Sequence, residues 1–537
     1  LQGSIMELPA GELRVAGGYQ MRDNSAQFVP DILQSQDSFT DQVIGVYPTG
    51  YLDASTKVDD YYVEALVPVI NDLPGIKMLE LELGARYSDY RETEAQTTWK
   101  ALVNWEINDW ARLRGGFNRA TRAPNLGELF LNQQEIFTGG GVFSDPCGIR
   151  SNSPYGAGGT TLAKDPIKTT PTEVDPFIAA GQTQAGANSA ILICQALMGP
   201  GATQNFYNAG NDVVQPGAGG GFAWVLQEGN RNLQSETADS WTFGGVLRSP
   251  IDNAWLSGLS LTMDWYKVEI EDAILQYSLD FAQFRCYGQT VVTNATEAAA
   301  QAASPGCQLM PRDRNNGAAL STKVSYDNQA TVATSGFDIG ANWFGNFAEL
   351  GLDIPGGLGL SVNATVLDYF RTKQSPGVFD PEIEWAGSLG PQLTSLNAGA
   401  YDFRLFGNIS YIRDNWSVTL RWRHLPQVDS AGMATTRASM RNNAAVAAGA
   451  PGIILNYSPI TEVGLDSYNI FDLAANWTIN DKLSLRAGVT NLLDVEPETS
   501  YNPGRPLDKP LTSYCEGMPT GCLTPFSYAL PSVGQIS

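Results

Sequence analysis

Long runs in which apolar and polar residues strictly alternate constrain the fold of this chain more than any other feature. Over residues 77–90, every second residue from Leu79 to Tyr87 is apolar or aromatic, whereas Glu80, Glu82 and Arg86 belong to the intervening set. A period of two places the two sets on opposite faces of a β-strand. The same alternation returns over residues 257–271, 331–345, 415–425 and 481–493. The chain is therefore predicted to be rich in two-faced strands.

Counting all such runs predicts about thirteen strands in an all-β, antiparallel fold. They cover residues 11–23, 57–70, 77–90, 95–107, 110–120, 236–248, 257–271, 331–345, 357–370, 401–413, 415–425, 466–479 and 481–493. Tight polar turns such as Asn108-Asp109 and Asn480-Asp481 alternate with long connections such as 121–235 and 272–330. This alternation of short and long connections predicts a barrel with short turns on one rim and long loops on the other.

The length and polarity of the strands favour a transmembrane barrel over a soluble sandwich. Sandwich strands usually run about five or six residues, whereas these runs reach about ten or more, enough to cross a bilayer at a tilt. The polar face also carries charged residues, including Glu64, Lys100, Arg114 and Asp264. A dry core would not tolerate them unpaired, but a hydrated or plugged lumen would. The sequence predicts a transmembrane antiparallel β-barrel with long extracellular loops.

Composition excludes several classes of function. The formal net charge of −23 would repel nucleic acid, so no nucleic-acid partner is expected. With His424 as the single histidine, a multi-histidine metal site is excluded, and we expect no metal and no cofactor. No apolar stretch is long enough for a membrane-spanning helix. No pattern of residues supports a catalytic centre, and we expect that the protein is not an enzyme.

The cysteines form an even set of six, without any CxxC motif. They fall into three pairs that are local in sequence, namely Cys147 with Cys194, Cys286 with Cys307, and Cys515 with Cys522. All six lie in connections assigned to the long-loop rim, where an oxidising environment is expected. Three loop-closing disulfides are the favoured interpretation, and six buried free thiols in a cytosolic core are the alternative.

Two segments far apart in the chain resemble one known family. Residues 113–130 read LRGGFNRATRAPNLGELF, which resembles the barrel signature of TonB-dependent outer-membrane receptors. Residues 485–494 read LRAGVTNLLD and resemble the penultimate-strand motif of these receptors, with Leu493 where the family has phenylalanine. Residues 8–11, Leu-Pro-Ala-Gly, are similar to a mid-barrel opening in the same receptors.

The resemblance implies a barrel of about 22 strands that is closed by an N-terminal plug. It implies uptake of a scarce ligand of the siderophore, cobalamin or oligosaccharide class, with energy supplied by the TonB complex. Residues 1–537 would then be an incomplete barrel domain with about thirteen of these strands, lacking the plug, about eight early strands and the last one. The implied location is the bacterial outer membrane. The implied partners are its lipid, the TonB complex through the missing plug, and a small-molecule or oligosaccharide ligand.

Seven residues are candidates for contact with a ligand or with the plug. Four belong to the signature segment and three to the polar face of the 77–90 strand: Arg119, Arg122, Asn125, Glu128, Glu80, Glu82 and Arg86. The first four either line the lumenal mouth or fix the turn where the strand ends. Glu80 and Glu82 form either an acid–base pair or, with Arg86, a charge ladder along the lumen.

Two other classes of function compete with active transport. A passive porin or a surface adhesin would share the barrel but would need neither a plug nor the TonB complex. A secreted, soluble carbohydrate-binding β protein would bury its apolar rows against a second sheet instead of exposing them to lipid.

Overall fold

The computed structural model describes residues 1–31, 50–137, 145–148, 153, 155–157, 182–208, 224–276, 279–374, 381–393, 396–397, 399–450 and 464–496. Nineteen strands lie in these residues: β1 (Gln2–Leu8), β2 (Gly11–Phe28), β3 (Leu52–Leu73), β4 (Ile76–Tyr90), β5 (Gln96–Glu106), β6 (Ala111–Arg122), β7 (Gln134–Phe137), β8 (Trp224–Glu228), β9 (Glu236–Arg248), β10 (Ser260–Gln276), β11 (Thr322–Asn346), β12 (Gly357–Lys373), β13 (Ile383–Glu384), β14 (Gln392–Leu393), β15 (Leu396–Asn397), β16 (Phe403–Arg413), β17 (Trp416–Leu425), β18 (Tyr468–Asn480) and β19 (Leu483–Val489). Five of them, β7, β8, β13, β14 and β15, are short and lie in loops.

The remaining fourteen strands form one continuous antiparallel wall. Consecutive wall strands pair with each other from β1 to β19, and β6 pairs with β9 across the loop that carries β7 and β8. Each of the thirteen predicted strands overlaps one of these wall strands, so the all-β antiparallel prediction is confirmed.

The structure adds one wall strand that the sequence does not predict, besides the five short strands in loops. In β1, Ser4 and Met6 alternate with Gly3 and Ile5, so neither face is uniformly apolar. The strand exists because its backbone pairs with β2. The extended conformation of β1 therefore depends on hydrogen bonding to β2 and not on a local pattern of polar and apolar residues.

The apolar rows are exposed on one face of the wall. Trp241, Phe243 and Leu247 on β9 are 52%, 60% and 50% exposed, and Leu261 and Met263 continue this surface on β10. We call this the outer face, and the polar rows form the inner face. Contiguous apolar surface of this extent is rare on soluble proteins but is required of a wall in contact with lipid. The competing prediction of a soluble sandwich is therefore wrong for the described strands, because these rows meet no second sheet.

Aromatic residues form two belts on the outer face. Toward the long-loop rim the belt follows the register from strand to strand, with Tyr19 opposite Tyr61 and Tyr61 opposite Tyr87. Further along this belt, the ring centroid of Phe117 lies 4.6 Å from that of Trp99 and 4.8 Å from that of Trp241. Toward the short rim a second belt contains Trp105, Trp343, Tyr411, Trp416 and Trp477, and Trp416 lies opposite Trp477. Paired belts of this kind mark the two interfaces of a bilayer.

Short and long connections alternate along the wall as the sequence predicts, with one short hairpin, residues 91–95, on the long-loop rim. On the short rim, β3 and β4 are joined by Pro74 and Gly75, and β16 and β17 by Asp414 and Asn415. Gly75 at φ +77° and Asp414 at φ +42° adopt the left-handed conformation that such tight turns require. Two short-rim connections are longer, at residues 249–259 and 347–356.

Two of the long loops pack into one helical cap. The β6–β9 loop begins with α1 (Leu126–Phe130), whose Leu129 packs with Leu233 and Ile274 outside the cap. The cap itself takes α2 (Gln184–Met198) and α3 (Pro200–Asn208) from this loop, and α4 (Leu279–Gln283), a π-helix (Phe284–Gly288), α5 (Ala295–Ala302) and α6 (Pro305–Gln308) from the β10–β11 loop. Their shared core buries residues of both loops, including Ile191, Phe206, Tyr287 and Met310. The sequence predicts these segments only as long loops, because the search for alternation does not detect helices.

Two disulfides close loops within this cap. Cys147 is bonded to Cys194 and Cys286 to Cys307, so two of the three predicted local pairs are confirmed. All four cysteines are fully buried in the cap core. The third predicted pair, Cys515 and Cys522, lies outside the described residues.

A second cluster lies between the β12–β16 and β17–β18 loops. Trp385 packs against Ala431 and Ala434 of α7 (Ala431–Ala447), and its indole donates a hydrogen bond to Thr372. No helix among the described residues combines the length and the apolar character needed to cross a bilayer.

Candidate functional site

The inner face of β3, β4 and β5 carries a chain of ion pairs. Lys100 Nζ lies 3.0 Å from Glu64 Oε1 and 2.6 Å from Glu82 Oε1, so one ammonium bridges two strands. Gly84 lies opposite Lys100 in the ladder, and a Cβ there would come within 2.8 Å of the lysine Cε. The glycine thus makes room for the lysine stem. The predicted residue Glu82 is part of this inner-face chain.

The chain continues toward the short rim through Glu80. The carboxylate of Glu80 accepts a 3.4 Å hydrogen bond from Asn104, whose side-chain oxygen accepts one from Arg112. Arg114 forms a bidentate pair with Asp264, at 2.8 Å and 2.6 Å. Because Glu80 has polar partners along the wall, its surroundings favour the charge-ladder interpretation over an acid–base pair.

A fully buried carboxylate, Asp60, lies between two arginines nearer the long-loop rim. Arg22 Nη2 is 3.1 Å and Arg86 Nε is 3.9 Å from its oxygens, and Ser88 donates a 2.5 Å hydrogen bond to it. Arg86 also lies over the ring of Tyr62, 5.5 Å from its centroid. The sequence predicts Arg86 as a site residue but does not single out Asp60 or Arg22. Alternation places both on the polar face, but only the strand register brings them together.

Three predicted residues meet where β6 ends. Arg122 lies 3.0 Å from Glu128 Oε2 and 2.6 Å from Glu236 Oε1. Asn125 caps α1 by accepting from the Glu128 N–H, and the Glu128 carboxylate accepts from the Asn125 N–H. This reciprocal pair is a capping box. Glu236 also accepts from the Ile274 N–H on β10. Arg122, Asn125 and Glu128 therefore join β6, α1, β9 and β10 at the mouth.

Arg119 occupies a different position from the other predicted residues. The alternation of β6 places the Arg119 side chain on the outer face, and Arg119 lies opposite Trp99 in the β5–β6 ladder. Its guanidinium forms two hydrogen bonds of 2.7 Å and 2.6 Å to Asp239 on β9. Arg119 borders the cavity described next, but the structure does not bring its charge into the inner-face chain.

An open cavity of about 800 Å³ lies at the long-loop end of the inner face. Its polar lining includes Arg22, Arg86, Arg122, Ser88, Asn118 and Tyr90. The side chains of Arg22, Arg86 and Arg122 are 46%, 41% and 43% exposed. Their carboxylate partners are at most 14% exposed. The guanidinium groups therefore form the accessible surface, with the acids behind them, and this surface suits an anionic group.

The cap beyond this mouth is held together by a buried ion pair. Arg312 and Asp145 come from different loops, and their side chains are 1% and 4% exposed. Arg312 also donates to the Gly317 carbonyl and lies over the ring of Phe206. Burial alone would lower the pKa of the Arg312 guanidinium, but attraction to Asp145 outweighs it and raises that pKa above its usual range. Burial also raises the pKa of the neighbouring Tyr287 phenol. Arg312 is thus charged, and Tyr287 is neutral at ordinary pH.

Comparisons with known proteins place these features in a family. The family model described as TonB dependent receptor-like, beta-barrel, matches residues 7–492. No curated protein matches the chain at a significant level.

Solved structures are similar in part. The siderophore receptor PirA from Acinetobacter baumannii is 14% identical with a TM-score of 0.46, over 92% of this chain and 50% of that chain. A mutant of the ferric enterobactin receptor PfeA from Pseudomonas aeruginosa, in complex with enterobactin, is 12% identical with a TM-score of 0.48, over 92% and 48%. The chain spans about half the length of these structures.

Proposed function

The chain belongs to the family of TonB-dependent receptor β-barrels, and we propose that it serves the energised uptake of a scarce, anionic small molecule across the bacterial outer membrane. Among the ligand classes that the sequence suggests, a negatively charged metal chelate of the siderophore class is the one we infer. We expect transport and not catalysis, because the family is one of receptors.

The observation that carries this proposal is the two-faced wall. Its outer face is apolar between two aromatic belts, and its inner face is a continuous series of charged and hydrogen-bonding residues. A membrane wall with this polarity separates a polar passage from hydrocarbon. The cap of two long loops lies on the rim that this orientation makes extracellular.

The charge of the proposed ligand follows from the cavity at the mouth. The arginines there present partly exposed guanidinium groups, whereas Asp60 and Glu128 are buried behind them. Arginine binds carboxylates and similar planar anions in bidentate geometry, so an anionic chelate would find charge-assisted hydrogen bonds there. An uncharged oligosaccharide would form only neutral hydrogen bonds with these guanidinium groups and would gain no ionic attraction from them.

The inner-face chain of Glu64, Lys100 and Glu82 also offers a surface for the plug that the family resemblance implies. The side chains of Glu64 and Glu82 are 50% and 44% exposed, and charged groups at this exposure pair with complementary groups and release easily in a hydrated lumen. We propose that the TonB complex acts on the receptor through this plug.

Uptake by cells carrying the complete gene tests the proposal. A strain without the gene would be compared with the complemented strain for uptake of radioactive iron presented as an anionic ferric catecholate, an anionic ferric citrate or a cationic ferric hydroxamate. We expect gene-dependent uptake of an anionic chelate that stops when a protonophore collapses the proton gradient. Gene-dependent entry that persists with the protonophore would indicate a porin, and no gene-dependent entry of any chelate would overturn the proposed ligand class.

Arg86→Gln tests the cavity. Arg86 is 3.9 Å from Asp60, which keeps Arg22 and Ser88 as closer partners, so the substitution leaves the buried acid paired. A charge-assisted hydrogen bond contributes about 1.5–3 kcal/mol, so we expect the apparent affinity for the anionic chelate to fall about tenfold to a hundredfold. Arg413→Gln is the matched control, because its side chain is similarly exposed, at 44%, but lies at a short-rim turn. Equal effects of the two substitutions would contradict the assignment.

A further inference from the structure

We propose that two turns on the short rim, residues 249–259 and 347–356, insert their apolar side chains into the inner leaflet of the membrane and thereby extend the lipid-facing band. This inference rests on the proposed membrane location. We call the exposed apolar residues of these turns the apolar foot: Ile251, Trp255, Leu256, Leu352 and Ile354.

The apolar foot differs in composition from two of the tight short-rim turns. Its five large apolar side chains are each between 41% and 55% exposed. The tight turns at Asp414-Asn415 and Asp481-Lys482 present polar side chains instead. Exposed tryptophan and isoleucine do not stabilise a turn in water, so clustered apolar residues at this rim indicate a surface that is covered by another apolar phase or molecule.

Both turns are attached to the outer face of the wall. Trp343, which shares its face with the exposed Ile339, donates a 2.7 Å hydrogen bond from its indole to the Trp255 carbonyl. Tyr411, on the outer face two residues from the exposed Ile409, donates a 2.7 Å bond to the Pro355 carbonyl. The apolar foot is thus continuous with the lipid-facing surface and with its short-rim aromatic belt.

The turns are also close to each other. Strands β10 and β11 are paired, with Ser260 opposite Asn342, so the turn before β10 and the turn after β11 leave the wall side by side. Leu350 of the second turn is nearly buried, and its Cδ1 lies 2.9 Å from where a Cβ of Gly345 would stand. Gly345 therefore lets this turn fold back against the outer side of β11.

The apolar band at this part of the wall is short enough for the two turns to extend it. Along the outer row of β10, read from the short rim, Trp265 is the last apolar residue before the charged ones. The next residues in this row, Lys267 and Glu269, are charged and form an ion pair at 2.9 Å. From Leu261 to Trp265 the strand rises about 14 Å at ~3.4 Å per residue, or about 10 Å of membrane height at a ~40° tilt. The apolar band of such barrels is about 25 Å tall.

The apolar row is longer on β4, elsewhere in the wall. On β4 the outer row is apolar or aromatic from Leu79 to Tyr87, a run of about 27 Å along the strand, and its short-rim turn is only Pro74 and Gly75. A shorter apolar stretch must be compensated by thinning the bilayer or by additional apolar contacts, and the apolar foot supplies such contacts.

Spin labels at the apolar foot test this inference. Trp255→Cys and Ile354→Cys would be labelled with a nitroxide in the complete protein, reconstituted in vesicles of phosphatidylethanolamine and phosphatidylglycerol. Leu261→Cys, on the lipid-facing row, and Asp481→Cys, in a polar turn, are the matched references, and the unsubstituted protein gives the background of labelling. Collision with oxygen reports hydrocarbon, and collision with a water-soluble nickel chelate reports solvent.

We expect the oxygen-to-nickel collision ratio at both foot positions to be several-fold above that at residue 481 and close to that at residue 261. A ratio equal to that at residue 481, with residue 261 still exposed to lipid, would overturn the inference alone. Protection of the foot from both reagents would show that a protein or a second copy covers it, which also overturns the inference. A water-exposed residue 261 would overturn the proposed membrane barrel itself.

Discussion

Replacement of Asp145 by asparagine removes one half of the buried pair that joins the two loops of the cap. Asp145 accepts a 2.8 Å hydrogen bond from Arg312 Nη1 and another from Nη2, and it accepts from the Cys147 N–H at 2.9 Å. Asparagine keeps one acceptor oxygen but turns an amide toward a guanidinium that also donates. Arg312, whose side chain is 1% exposed, would then be a buried charge without its counterion.

The structure sets the size of the expected effect. Because both side chains are almost fully buried, solvent screening is weak, and loss of one partner costs about 3–5 kcal/mol. The oxygen that asparagine retains places the expected loss near the lower limit, about 3 kcal/mol. Each ~1.4 kcal/mol is a factor of ten, so amides of the cap core should exchange with solvent about a hundredfold faster.

Hydrogen exchange with mass spectrometry measures this effect locally. Peptides from α2 and α5 should lose protection, whereas peptides from the wall, such as β5, should not change. Asp313→Asn is the control, because Asp313 is next to Arg312 in sequence and its Oδ1 accepts from the Asn315 N–H in a turn, a bond that asparagine also makes. Unchanged protection of α2 and α5 in the Asp145 variant would refute the claim that this pair holds the loops together.

A second expectation about the same pair separates charge from packing: the double replacement Asp145→Leu with Arg312→Met should recover most of the protection lost in the single variant, since apolar pairs replace buried ion pairs at little cost. Reduction of the disulfides Cys147–Cys194 and Cys286–Cys307 should destabilise the cap by about 3–4 kcal/mol per bridge on loop entropy, leaving the heat-induced unfolding of the wall in detergent unchanged. On the outer face, Leu83→Arg, between the aromatic belts, should lower the free energy of unfolding into urea from lipid vesicles by about 2–4 kcal/mol, but Tyr87→Arg, within a belt, by about 0–1 kcal/mol. Since burial raises the pKa of Tyr287 from its ordinary value of 10.0, the folded cap favours the neutral phenol; its contribution to stability is complete below pH 10 and declines as the pH rises above it. Exchange of α5 should therefore accelerate between pH 10 and 11 beyond its intrinsic rate, and Tyr287→Phe should remove this excess.

Much of the wall could be predicted from local patterns because a strand with one face in lipid and one in a polar lumen must alternate at every residue. Because of this requirement, the outer-face position of Leu79, Leu81 and Leu83 can be predicted without knowing which strands lie next to them. The same reasoning assigned the cysteines to the long-loop rim, and it placed Glu80, Glu82 and Arg86 on the inner face, where the structure has them.

The candidate site could be predicted only in part, since its key contacts depend on register. Asp60 gains its role from Arg22 and Arg86 on adjacent strands, and nothing in the residues around Asp60 signals that it is fully buried. Arg119 illustrates the opposite case. It stands beside the predicted mouth in sequence, but the alternation of its own strand sends its charge to Asp239 on the outer face.

The amino-acid sequence by itself determined the two-faced strands, their approximate number, the alternation of short and long connections, and the family signature. Only the tertiary structure decided that two long loops form one helical cap, which of their residues meet, and which arginines border the cavity. The physical reason is the range of the interactions. Alternation is imposed on each residue by lipid and water directly, whereas Asp145 and Arg312 stand 167 positions apart and meet only after the wall has brought their loops together.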